Sequence, residues 1–139
     1  MNGAIPRAFC TFALGSAVLA ACAAKVGWRL IPSPIVSPGK PLPAVRVPDT
    51  MKVGLPDTVI VWTRGGGCTR TVPPQVTGDD LQVTIRLFDS VLVRQPDDYA
   101  CPAVRWDARR TTAIRFARAG AALVRVVGSD TSDHVVVVR

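Results

Sequence analysis

His134 is the single histidine of the chain, and it stands in Ser132-Asp133-His134, where a hydroxyl, a carboxylate and an imidazole adjoin. A serine nucleophile needs an imidazole base, and the base needs an acid to hold its tautomer. Neighbours on a strand point to opposite faces, so this trio cannot close into a triad by itself, and His134 reads as a surface histidine. All ten acidic residues are aspartates. Asp79-Asp80, Asp97-Asp98 and Asp130/Asp133 sit at turn signals, where aspartate caps and bends backbone; a weak calcium site is the alternative reading. Gly65-Gly66-Gly67 lacks the following helix and lysine of a phosphate loop and reads as a tight turn or bulge beside Cys68. No catalytic residue, metal or cofactor is expected, and the chain reads as a non-enzyme.

Arg105, Trp106, Arg109 and Arg110 are the strongest candidates for binding. Guanidiniums and an indole gathered in one loop can grip phosphate, carboxylate or sugar. The competing reading is a solvated loop with Trp106 sunk in the core.

The elements that must position these residues have a period of two. Leu81, Val83, Ile85 and Leu87 alternate with Gln82, Thr84 and Arg86; Ala122, Val124 and Val126 alternate around Arg125. Thr58–Thr63, Ser90–Arg94, Thr112–Phe116 and His134–Val138 complete six or seven short strands, separated by glycine, proline and aspartate turns. The apolar run Val135–Val138 reads as a buried strand; as an edge it would accept a partner's strand. The expected fold is all-β, a small antiparallel β-sandwich over residues 51–139. A simple hairpin pairing Phe116 with Val124 would set Arg115 against Arg125, and like charges directly opposite are destabilising. These strands are therefore expected in different sheets, or with nearby aspartates compensating.

Ile114-Arg-Phe-Ala-Arg-Ala-Gly-Ala-Ala-Leu-Val-Arg-Val resembles the strand–corner–strand passage of bacterial immunoglobulin-like domains, and Tyr99-Ala-Cys101 resembles the tyrosine corner of that fold. Cys68 and Cys101 are too close in sequence, with too much strand after Cys101, for the usual inter-sheet bridge of that fold. Upstream, Pro32, Pro34, Pro38, Pro41, Pro43 and Pro48 recur every few residues, which no continuous helix or central strand tolerates. Residues 22–50 are accordingly expected to form a disordered, extended tether that holds the domain off a surface. A second reading lets Trp28 and Leu30 touch a lipid interface.

Before this stretch, Arg7 supplies a positive charge and Ala8–Ala21 an apolar segment. As a helix that segment is about 21 Å long, short of the ~30 Å hydrocarbon core and suited to a signal peptide. It ends in Leu19-Ala20-Ala21-Cys22, which resembles the lipobox of bacterial lipoprotein precursors. The resemblance implies removal of residues 1–21 and acylation, including palmitate-type chains, of Cys22. It also implies a membrane-anchored, envelope-facing location. Ala23 lacks the aspartate of inner-membrane retention, which implies the outer membrane where the source has one. Cleavage near Ala23-Ala24 without lipid, an uncleaved anchor and an apolar first helix are the alternatives.

If residues 1–21 are removed, Cys10 is lost and Cys22 is acylated. The remaining pair, Cys68 and Cys101, is then expected to form a disulfide in an oxidising compartment, pinning the Gly65–Gly67 turn to the Asp97–Pro102 loop. The net charge of +7 becomes +6 without Arg7 and favours anionic surroundings such as headgroups or envelope polymers. Nucleic acid is not expected, since no motif for it appears. The expected partners are the membrane, through the anchor, and an unknown envelope protein or anionic polymer. The expected role is binding or assembly, with an envelope enzyme or metal-binding domain, or a secreted inhibitor-like domain, as alternatives.

Overall fold

Val59, Val61 and Thr63 alternate with Ile60, Trp62 and Arg64, a pattern that buries one face of a strand and leaves the other for solvent. The same logic runs through the chain. The computed structural model describes residues 27–94 and 100–139, and every regular element among them is a strand. The expected signal segment and Cys22 lie outside the described residues, as do Asp97, Asp98 and Tyr99. The strands are β1 (Gly27–Pro32), β2 (Val45–Arg46), β3 (Thr50–Met51), β4 (Asp57–Gly66), β5 (Thr69–Thr71) and β6 (Gln75–Gly78). They continue with β7 (Gln82–Arg86), β8 (Phe88–Arg94), β9 (Arg105–Ile114), β10 (Gly120–Val127) and β11 (Thr131–Val138).

The strands form three sheets, in the orders β3-β11-β10-β7-β6, β2-β4-β9 and β1-β8-β5. Pairing is antiparallel except for β10 with β7 and β11 with β3, which are parallel, so the all-β sandwich is mixed where a purely antiparallel one was expected. Val83, Ile85, Ala122, Val124, Val126, Val136 and Val138 of the five-stranded sheet share one core with Val45, Val59, Val61 and Ile114 of the β2-β4-β9 sheet. Phe116 is fully buried in that core. The chain passes repeatedly from one sheet to another. At Leu87, the amide donates to Val127 O (2.8 Å) while the carbonyl accepts from Ser33 N (3.0 Å). Between β9 and β10 it crosses again, so Arg115 and Arg125 never face one another; Arg125 lies opposite Asp133 of β11.

The proline-rich stretch departs from the tether expected of it. From Gly27 onward it is woven into the body: β1 pairs with β8, β2 with β4 and β3 with β11. Val45, Met51 and Ser33 are buried. The reason is positional. All three strands lie at sheet edges, where a missing proline N–H breaks no ladder. Val135–Val138 also departs from the expected burial: Val136 and Val138 are buried, whereas Val135 is 73% and Val137 55% exposed. Because β3 covers β11 only at Val137–Val138, the rest of that edge has no neighbouring strand among the described residues.

One charge pair lies inside the body. Asp89 on β8 and Arg110 on β9 form a salt bridge with side chains 1% and 5% exposed. Arg110 Nη1 also donates to Phe88 O (3.0 Å) and Val72 O (3.2 Å). Removing one partner leaves an uncompensated buried charge, at a cost of about 3–5 kcal/mol. Asp89→Ala and Arg110→Met should each lower stability by about that amount in urea unfolding. The double variant Asp89→Leu/Arg110→Met should recover most of the loss; equal and additive losses would contradict the pairing.

Candidate functional site

The four residues expected in one binding loop occupy β9, and a strand sends them to two sides. Arg110 is buried and committed to Asp89. Trp106 is half-buried on the same side and donates its indole N–H to Gly66 O at 3.0 Å. Arg105 and Arg109 are exposed on the other side. The candidate group is therefore corrected: Arg110 and Trp106 serve the interior, and only Arg105 and Arg109 are available to a ligand.

The glycine run follows from the same strand. Gly65 lies opposite Trp106, and a Cβ there would collide with the indole ring. Gly67 sits in the turn between β4 and β5, where a Cβ would strike the Pro102 carbonyl. Cys68, next in that turn, is bridged to Cys101, 33 positions further along the sequence, with Cα atoms 5.3 Å apart. The bridge thus ties the β4–β5 turn to the segment leading into β9. A loop of that length contributes about 3–4 kcal/mol on the chain-entropy model.

The outer face of the β2-β4-β9 sheet supplies new companions for Arg105 and Arg109. Trp62 is directly opposite Arg109, Arg64 opposite Asp107, and Gly66 opposite Arg105. Arg46 of β2 stands across from Ile60. Leu42, Pro43, Arg46, Ile60, Trp62 and Arg109 line a shallow groove of about 220 Å³. Arg64 donates from Nε to Asp107 Oδ1 at 2.8 Å and from Nη2 to Oδ2 at 3.2 Å, so this cation is neutralised. Among the described residues Arg46, Arg105 and Arg109 have no carboxylate partner. The face therefore presents three unneutralised guanidiniums, two of them, Arg46 and Arg109, lining a groove with a half-buried indole. Guanidiniums bind planar oxyanions in two-pronged fashion, and an indole face accepts a sugar's C–H surface or a further cation. Trp62 and Arg46 were not singled out in the sequence. The alternation of Ile60, Trp62 and Arg64 against Val59, Val61 and Thr63 is the signal that places Trp62 outward.

The other candidates stay apart from this face. Ser132 Oγ lies 2.7 Å from His134 Nε2 on β11, a contact between residues two apart on one face of the strand. Asp133 points the other way and is held by Arg125 through Nε–Oδ1 and Nη2–Oδ2 contacts, both 2.8 Å. The acid that would orient the imidazole is thus engaged elsewhere. Asp79 Oδ1 accepts from the Leu81 (3.2 Å) and Gln82 (3.0 Å) amides, a turn cap. Among the described residues no three His, Cys, Asp or Glu side chains are grouped to hold a metal ion, and no helix is long and apolar enough to cross a membrane. Compared with models of protein families, with curated proteins and with solved structures, the chain matches none.

Asp107 and Asp133 are held below the ordinary carboxylate range, first by the hydrogen bonds from Arg64 and Arg125. A depressed carboxyl contributes its stabilisation above the ordinary aspartate range and loses it as pH falls through the lower folded value. Carboxyl-carbon NMR should show both midpoints below that of an ordinary aspartate side chain. Arg64→Gln should raise the Asp107 midpoint and leave Asp133 unmoved. An unchanged Asp107 would contradict the pairing.

Proposed function

We propose that the chain is a bacterial envelope lipoprotein, held in a membrane by acyl chains on Cys22, whose β-sandwich performs no chemistry and binds an anionic envelope component. The observation behind the binding role is the outer face of the β2-β4-β9 sheet, where Arg46 and Arg109 line a groove with Trp62 and Arg105 lies further along β9, all three without carboxylate partners among the described residues. The favoured ligand carries phosphate or carboxylate groups: an anionic polymer, or an acidic surface of an envelope protein. The lipobox-like Leu19-Ala20-Ala21-Cys22 supports the anchor. The Cys68–Cys101 bridge supports an oxidising compartment outside the cytoplasm.

The anchor and the binding face are tested separately. Cys22→Ser should move the protein from the membrane to the soluble fraction; unchanged retention would refute the anchor. Binding is read on immobilised uronic-acid polysaccharide. Arg46→Ala/Arg109→Ala should weaken binding at least about tenfold, since each charged hydrogen bond removed is worth about 1.5–3 kcal/mol. Added salt should weaken the wild-type interaction and matter less for the variant. Equal, salt-independent binding by both proteins would refute the face.

A further inference from the structure

β1 opens at Gly27, five residues after Cys22. A chain of that length spans at most about 18 Å even when fully extended. The folded body therefore begins close to whatever holds Cys22, and the sheet met first is β1-β8-β5. Trp28 and Leu30 share one face of that sheet and are 37% and 55% exposed. Arg70 of β5 lies opposite Ser90 on the same face, with its guanidinium carbon 4.0 Å from the centre of the Trp28 ring.

Among the described residues the charge near this face has one sign. Arg29, between Trp28 and Leu30 in sequence, is exposed on the other side of the strand, and Lys25 precedes the strand. Among the described residues no carboxylate pairs with Arg29 or Arg70. Asp89, the one aspartate in these three strands, is buried against Arg110. An indole with a guanidinium on its ring and a leucine alongside suits the boundary between hydrocarbon and headgroups. The rings and alkyl stems enter the apolar side while the cations stay among phosphates.

We propose that the Trp28–Leu30–Arg70 face lies against the anionic headgroups of the bilayer that holds Cys22, so that the domain rests on the membrane and does not stand off it. The occupant is the phospholipid surface, chosen by the short reach from Cys22 and by the unopposed positive charge. This rests on the acylation of Cys22 proposed above. With the first sheet held at the bilayer, the Arg46–Trp62–Arg109 groove on a different sheet is left for the envelope ligand.

The test uses the mature protein isolated from host membranes, its acyl state read by intact mass. It is reconstituted in vesicles of phosphatidylglycerol and brominated phosphatidylcholine. Bromine should quench part of the tryptophan emission, and Trp28→Phe should abolish that quenching while the emission of Trp62 and Trp106 stays unquenched. Leu30→Lys, which leaves Trp28 in place, should reduce the quenching. Three results overturn the proposal. In an acylated sample, the absence of quenching or its persistence in Trp28→Phe removes this face and leaves the anchor standing. Blue-shifted but unquenched Trp28 emission marks a protein, or a second copy of this chain, on the face instead of lipid. An unacylated Cys22 removes both the anchor and this face.

Discussion

The Asp89–Arg110 salt bridge is the constraint on which the arrangement of the three sheets depends. Asp89 belongs to the β1-β8-β5 sheet and Arg110 to the β2-β4-β9 sheet, and both side chains are almost wholly shielded from water. A buried ion pair adds little stability over apolar packing of the same volume, because desolvation offsets much of the attraction. It is much stricter about register. A slip of one residue in β8 or β9 would turn one charge to the outside and leave the other buried alone. The bonds from Arg110 to the Phe88 and Val72 carbonyls add to this, since they fix the guanidinium against one end of the β5–β8 ladder, where the Val72 amide donates to Phe88 O.

From that constraint follows the division of labour along β9. Its inward positions carry Trp106, Ala108 and Arg110, and its outward positions Arg105, Asp107 and Arg109. The inward set needs the glycines of the β4 end: Gly65 gives the indole room, and Gly67 lets the Pro102 backbone approach beside the disulfide. The outward set meets Trp62 and Arg64 across the ladder. The same strand thus locks the interior and shapes the outer face of the sheet, and a change that disturbs Arg110 should be felt at Arg109.

How much of this is legible in the sequence depends on what occupies the inward positions. β7 and β10 put valine, isoleucine and alanine there, so their period of two is plain. β9 puts a charge in the core, so residues 105–111 look like a polar loop, and the partner that makes the burial tolerable is 21 positions away in sequence. The proline-rich stretch misleads for a different reason. Regular prolines exclude a long or central strand, yet they permit strands of two to six residues at sheet edges, which is what β1, β2 and β3 are. Val135 and Val137 look like core residues because an unbroken run of four valines hides the alternation that turns these two to the outer face of the sheet. The disulfide partners, by contrast, are reachable by cysteine arithmetic if Cys10 belongs to a signal segment and Cys22 carries an anchor.

Whether the domain carries a long stalk turns on whether residues 27–51 belong to the folded body. Their amides report this directly: Ser33 N donates to Leu87 O and Val36 N to Trp62 O, both at 3.0 Å. Native-state amide hydrogen exchange should find Ser33 and Val36 as protected as the amides of β4 and β10, exchanging only through global unfolding. Exchange of these two amides at the rate of an unstructured peptide, beside a protected β4, would mean that the stretch is a tether after all.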